Sequence, residues 1–216
     1  PPHRAALRAF SRRDWLTLSV LGLLYYSITQ ATQFLGLKYL PAVTLNLLMS
    51  FSAVLVAVLG LFLLRERPTG AQWGGVGLYL LGALVFFYPV ALPGDMLLGI
   101  VIGLVGVAAN SVSSLLGRAV NRRVTAAPVV ITVASMGIGS VVLLAVAIAS
   151  EGMPALSLNS WLLIGWLAVI NTAFAFTLWN QTLRTLTALE SSIINNAMMI
   201  QIPLLAWLFL GEAVTL

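Results

Sequence analysis

Residues 14–69, DWLTLSVLGLLYYSITQATQFLGLKYLPAVTLNLLMSFSAVLVAVLGLFLLRERPT, return without a gap as residues 160–215, SWLLIGWLAVINTAFAFTLWNQTLRTLTALESSIINNAMMIQIPLLAWLFLGEAVT. Trp15-Leu16 aligns with Trp161-Leu162, Leu37-Lys38 with Leu183-Arg184, Leu40 with Leu186, Ala42 with Ala188, Glu66 with Glu212 and Thr69 with Thr215, at one offset (161 − 15 = 146). Each copy closes on an apolar run, Glu and Thr. Two copies an odd number of membrane spans apart point in opposite directions, and such inverted repeats build the two alternately exposed faces of many membrane carriers.

Composition makes the membrane reading necessary. Of 216 residues 60% are hydrophobic and 8% charged, against roughly 25% charged in a soluble domain. Charge-free intervals set spans at residues 16–36, 42–64, 71–90, 96–117, 127–149, 161–183 and 188–210, each near the ~20 apolar residues that cross a bilayer as a helix. A charge at the centre of a span costs about 2.5–3.5 kcal/mol against about 0.3–0.6 kcal/mol returned by a leucine, which explains why charges collect between the spans. The runs are continuously apolar and too long for barrel strands, which alternate over ~10 residues. A buried helical core in a large soluble protein also fails, since almost nothing remains for a polar surface. The fold class is therefore all-α, a polytopic transmembrane helix bundle.

Ten of the eleven basic residues fall on one side of these spans, namely Arg4, Arg8, Arg12, Arg13, Arg65, Arg67, Arg118, Arg122, Arg123 and Arg184. Lys38, Asp95, Glu151 and Glu212 take the other. The positive-inside rule makes the Arg-rich side, including the loop from Arg118 to Val124, cytoplasmic. The net charge of +5 thus reports topology, and nucleic acid is not an expected partner. With no cysteine there is no disulfide framework, thiol chemistry or cysteine-based metal site.

Seven spans settle the repeat's direction. Trp15 begins the first span and Trp161 the sixth, so the second copy is inverted and one unit holds five helices. The expected domains are residues 1–92, the last three spans of a first unit, and 93–216, the first four of a second. About two helices would precede Pro1 and one would follow Leu216. Ser11 with Asp14, and Thr187 with Glu190, match the capping-box pattern ahead of apolar runs. Pro41 and Pro128 suit a first helical turn, while Pro203 should kink the last span. Gly99 with Gly103, Gly70 with Gly74, and Ser135 with Gly139 form small-residue stripes suited to close helix packing.

Leu35-Gly36-Leu37-Lys38-Tyr39-Leu40-Pro41-Ala42, Leu63-Leu64-Arg65-Glu66-Arg67-Pro68-Thr69 and Ala206-Trp207-Leu208-Phe209-Leu210-Gly211-Glu212 resemble the EamA family of the drug/metabolite transporter superfamily. The resemblance covers nearly the whole chain and implies a ten-helix carrier of which helices three to nine are present. It implies an inner-membrane carrier, often an exporter of amino acids, other metabolites or toxic compounds, with a cavity between its halves. Ala53 departs from the pattern, as many relatives have proline there.

Candidate site residues follow from polarity within the spans. An unpartnered amide in hydrocarbon costs roughly 2–7 kcal/mol, so the amides should face protein or a wet cavity. Tyr26, Gln30 and Gln33 share one helical face, and the repeat maps them onto Thr172, Phe176 and Trp179. Asn46 maps onto Ser192 and Ser50 onto Asn196, while Asn110 shares a stripe with Gly103, Gly106 and Ser114. A solute cavity is thus expected among Tyr26, Gln30, Gln33, Asn46, Asn110, Thr172, Phe176, Trp179 and Asn196. Ordinary interhelical bonding, worth ~0.6 kcal/mol a pair, explains any single amide. The chemistry suits a neutral, zwitterionic or modest-sized aromatic solute better than a phosphate, which would want deep Arg or Lys. Glu190 reads as a cap in preference to a proton-coupling acid. His3 lies in the cytoplasmic segment and no serine has a partner base, so neither an enzyme, a cofactor nor a metal site is expected. A channel-like facilitator or a non-transporting membrane protein is the alternative. The solute, transport direction, energy coupling and choice between monomer and homodimer stay open.

Overall fold

The computed structural model describes residues 10–66, 68–87, 96–123, 127–197, 201 and 208, and within them the side chains other than those of 43, 83, 84, 86, 87 and 196. All regular structure among these residues is helical. The order is α1 (Arg12–Gly22), a π-helical segment π1 (Leu23–Thr29), α2 (Gln30–Leu37), α3 (Ala42–Ser50), α4 (Ser52–Leu63), α5 (Gly70–Phe87), α6 (Leu97–Arg123), α7 (Pro128–Glu151), α8 (Leu158–Trp166), a second π segment π2 (Leu167–Phe174), α9 (Ala175–Thr182) and α10 (Ala188–Asn196). Thr44–Leu63, Leu97–Arg123, Pro128–Glu151 and Leu158–Thr182 are long and apolar enough to cross a membrane. The first helical run is as long, but Tyr25, Tyr26, Ser27, Thr29, Gln30, Thr32 and Gln33 make its middle polar.

Local structure recurs at the sequence offset. Ser11 and Ser157 cap their helices by accepting from the N–H of Asp14 and of Ser160, each at 3.2 Å. Both first helices contain a π segment, both pairs of spans join through a short turn, and α3 and α10 begin and end at equivalent positions. The capping boxes of Ser11 with Asp14 and of Thr187 with Glu190 are both formed. Pro41 and Pro128 sit at helix starts, as their fixed φ favours. Pro203 and Glu212 lie outside the described residues, as does the expected domain boundary at 92/93. The span containing Ala53 is interrupted at Phe51 even without proline, and the Ser50 and Tyr79 hydroxyls both donate to the Leu47 carbonyl there.

α1, π1, α2, α3, α4, α9 and α10 all pack on α6. Tyr39 and Leu40 lie on Gly99, Leu48 on Gly103, Thr32 and Met49 on Gly106, and Leu21 and Leu183 near Gly117. At the same end as Gly117, Arg123 donates to Asp14 at 2.6 Å. The first copy's helix therefore runs antiparallel to α6, while Val56 and Leu115 in one cluster, and Glu66 against Arg118, make α4 run parallel to it. Leu18 packs with Ile131 and Ala134, and Ser27 donates to the Gly139 carbonyl at 2.7 Å, so α7 lies parallel to α1–π1. A Cβ at Gly22 or Gly139 would run into the opposite backbone. This is the close approach expected of the Ser135–Gly139 stripe, whereas Gly70 and Gly74 face open space.

The helix from Leu158 to Thr182 ends beside the start of the first copy. Asn180 bonds Asn121, and the Leu183 carbonyl accepts from Arg118, both near the Arg123–Asp14 end of α6. The two copies of this helix thus run in opposite directions. One sequence expectation needs correcting: residues 118–123 are not a loop but the last turns of α6. Helix continues because Arg118 is neutralised inside the protein and need not leave the bundle to find water.

Candidate functional site

A cavity lies where the two antiparallel copies meet α6. It is lined by Leu21, Tyr25 and Tyr26 from the first copy, Ser113, Ser114 and Gly117 from α6, and Trp179, Asn180, Leu183 and Ser191 from the second copy. About 20 Å³ is open to the centre of a water-sized group. Since one water needs about 10–15 Å³ by that measure, the space holds one such group and no whole metabolite.

Its aromatic wall is formed by local backbone irregularity. π segments recur at functional sites because the widened turn shifts side chains by one position. In π1 the Thr29 hydroxyl donates back to the Leu24 carbonyl at 2.9 Å, meeting an acceptor the wide turn loosens. Tyr25 and Tyr26 then meet Phe176 edge-on, with ring centroids 5.8 and 5.3 Å apart, and each other at 5.0 Å. Such T-shaped contacts align the positive edge of one ring with the negative face of the next.

A directional hydrogen-bond chain backs the cavity. Asn121 Nδ2 donates to Asn180 Oδ1 at 2.8 Å and to the Gly117 carbonyl at 2.9 Å. Asn180 Nδ2 donates to Thr132 Oγ1 and to the Phe176 carbonyl, both at 2.9 Å, and the Thr132 hydroxyl donates to the Pro128 carbonyl at 3.0 Å. The chain crosses α6, α9 and α7. Asn121 Oδ1 is buried with no partner among the described residues, an unfilled acceptor of the sort that usually marks functional or hydrated positions.

Next to the lining residue Gly117 stands a buried ion pair. Arg118, 4% exposed, donates from Nε to Glu66 Oε1 at 3.0 Å and from a terminal nitrogen to the Leu183 carbonyl at 2.7 Å. Glu66 Oε2 accepts from the Ala188 N–H at 2.9 Å, and Arg122 stands 3.8 Å from Oε1. Two side chains therefore tie the end of α4, α6 and the turn between α9 and α10. Glu190 accepts from the Thr187 N–H at 2.9 Å and completes the cap, as the sequence suggests. Asp14 is held below the usual carboxylate range, first by the Ser11 hydroxyl, then by the Ser11 N–H and by Arg123.

Of the nine residues singled out from sequence, Tyr26 and Trp179 line the cavity and Phe176 stacks on its wall. Gln30, Gln33, Asn110 and Thr172 are half-buried outside the cavity lining, and Asn46 is exposed. The side chain of Asn196 lies outside the described residues. Tyr25, Ser113, Ser191 and Arg118 emerge only from the structure, whereas Ser114 shares the Asn110 stripe and Asn180 is one of the span amides. A signal was available for some of them. Gly103, Gly106, Asn110, Ser114, Gly117 and Asn121 continue one helical stripe at spacings of three and four, which places Arg118 beside a packed face.

The model of the EamA-like transporter family matches residues 3–88 and 97–216. An uncharacterized transporter of Archaeoglobus fulgidus is 37% identical over 94 residues, 41% of this chain and 32% of that relative's length. The chain's match thus spans about a third of this curated relative. Polar lining at the crossing of antiparallel apolar helices and a family match over most of the chain agree: this is a multi-pass membrane protein, and it belongs to the EamA-like transporter family.

Proposed function

We propose that the protein is a secondary carrier that moves a small neutral, zwitterionic or modest-sized aromatic solute by alternating access, with export the expected direction. The reading rests above all on the cavity's position between two antiparallel copies of one helix, with the Arg118–Glu66 ion pair next to its lining at the Arg-rich end. A space of this size needs helix movement before a metabolite fits, since solute sites span about 300–1,000 Å³. Movement that breaks the Arg118–Glu66 contact would widen the cavity toward the Arg-rich side, which the positive-inside rule makes cytoplasmic in an inner membrane. Gln30 and Gln33 continue the face of Tyr26 toward the opposite end, and with Asn110 they form the path in the outward direction. Asn46 and Asn196, on equivalent helices of the two copies though not at equivalent positions, serve as outer and inner ends of that path. Units of residues 1–92 and 93–216 rock against each other in this scheme.

Reconstitution of the full-length protein tests this directly. Preloaded proteoliposomes should show saturable counterflow that is lost when Trp179 is changed to Ala, with reconstitution efficiency intact. Non-saturating, single-channel-sized currents would instead favour a channel, and the absence of any flux across an amino-acid, amine and purine panel would favour a non-transporting protein.

A further inference from the structure

The polar groups around the cavity have already spent their protons. Ser113 donates to the Ala109 carbonyl at 2.6 Å, Ser114 to the Asn110 carbonyl at 2.9 Å and Ser191 to the Ala188 carbonyl at 2.9 Å. Asn180 uses its amide nitrogen on Thr132 and Phe176, and its oxygen accepts one bond from Asn121. What these four side chains offer inward is lone pairs. A serine hydroxyl has one donor and two acceptor sites, and an amide oxygen two acceptor sites, so each retains unused acceptor capacity.

Beside these acceptors stand Tyr25, Tyr26, Phe176 and Trp179. Aromatic faces attract cations through the ring quadrupole. The tyrosine hydroxyls can act either way, and Trp179 brings one N–H donor. Two cations adjoin lining residues in sequence: Arg118 is turned to Glu66 and the Leu183 carbonyl, and Arg184 lies on the exposed surface. An anion entering here would meet serine and amide lone pairs. A primary ammonium carries three donors, has about the size of water, and fits the one-group volume of the closed cavity.

We infer that this cavity is the subsite for the ammonium end of an organic amine or zwitterion, held by Ser113, Ser114, Asn180 and Ser191 and walled by Tyr25, Tyr26, Phe176 and Trp179. The inference deepens the carrier reading by naming the solute's chemistry. The body of such a solute would extend toward Gln30 and Gln33 once the helices part.

Binding to the purified full-length protein in detergent tests it without any appeal to transport. The probes are 2-phenylethylamine, 2-phenylethanol and 3-phenylpropionate at neutral pH, read by tryptophan fluorescence and thermal shift. The amine should bind at least about tenfold more tightly than the carboxylate, a preference of ~1.4 kcal/mol. S114A and S191A, which each remove an acceptor and little volume, should weaken the amine several-fold while leaving the unliganded Tm near the parent's. N180D, which supplies a counter-charge, should strengthen it. Equal or tighter binding of the carboxylate, no amine binding, or an amine Kd unmoved by both serine variants would overturn the assignment. Saturable counterflow of a non-amine solute, untouched by S114A and S191A, would overturn it too while leaving the carrier reading in place.

Discussion

The two copies of the repeat share a local structure and differ in burial. In the first, Leu18, Leu21, Gly22, Tyr26, Ser27 and Thr29 are buried beneath α6 and α7. In the second, α8 and π2 bury no residue among those described, and burial begins only at Asn180. Caps, π segments and turns nevertheless fall at matching places. These features are therefore written locally, by Ser, Thr and Pro at helix starts and by apolar run length, whereas packing depends on which helices lie alongside. The cavity forms where the difference is sharpest. It takes the first half of the helix from the packed copy and the last half from the open one.

The largest effect should come from the contact that clamps the second copy to the first unit. Changing Arg118 to Gln leaves Glu66 the Ala188 N–H and the exposed Arg122 as partners, and removing one member of a buried pair costs about 3–5 kcal/mol. We expect R118Q and E66Q each to lower the detergent Tm strongly, with the double variant well short of the sum. Strict additivity would show that the two side chains do not act as a pair.

A second test uses the packing difference itself. Gly22 meets the Ser135 carbonyl and Gly139 so closely that a Cβ has no room, while its repeat equivalent is Ala168, exposed on π2. G22A should cost about 1–3 kcal/mol through overpacking. A168G should lose only about the ~1 kcal/mol of lower helix propensity. Equal costs, read by thermal unfolding, would mean that the two crossings do not differ as described.

The smallest effect separates the two caps. Asp14 completes the first copy's box where the second has Ser160. Because folding lowers the Asp14 pKa, its contribution is present above the unfolded carboxylate value near 3.9 and is lost as pH falls through the lower folded value. The Tm of D14N should therefore lie slightly below the parent's at pH 6 and converge with it toward pH 3. A gap constant with pH would break this account of the cap.

The all-helical membrane class and the opposed run of the two copies were legible in the sequence because charge placement and apolar run length are local quantities. The capping role of Glu190 was legible for the same reason, being a spacing of three from Thr187. The cavity was read only in part. Tyr26, Phe176 and Trp179 stood out as aromatic or repeat-paired positions, but repeat pairing also joined Gln30 to Phe176 and Gln33 to Trp179. In an inverted pair, equivalent residues on opposed helices lie at different depths except near the crossing. Tyr26 consequently meets Phe176 and not Thr172. Arg118 escaped as a site residue because its partner, Glu66, lies 52 positions away, and only the folded chain brings them together.

The opposed direction of the two copies is the central claim, and cysteine labelling reaches it most directly. These 216 residues hold no cysteine, and Tyr39→Cys and Thr185→Cys can be made singly at equivalent, exposed turn positions. An impermeant maleimide added to intact cells should label the cysteine at 39 and reach the one at 185 only after permeabilisation. Labelling of both from the same side would contradict the inverted arrangement and, with it, the carrier mechanism built on it.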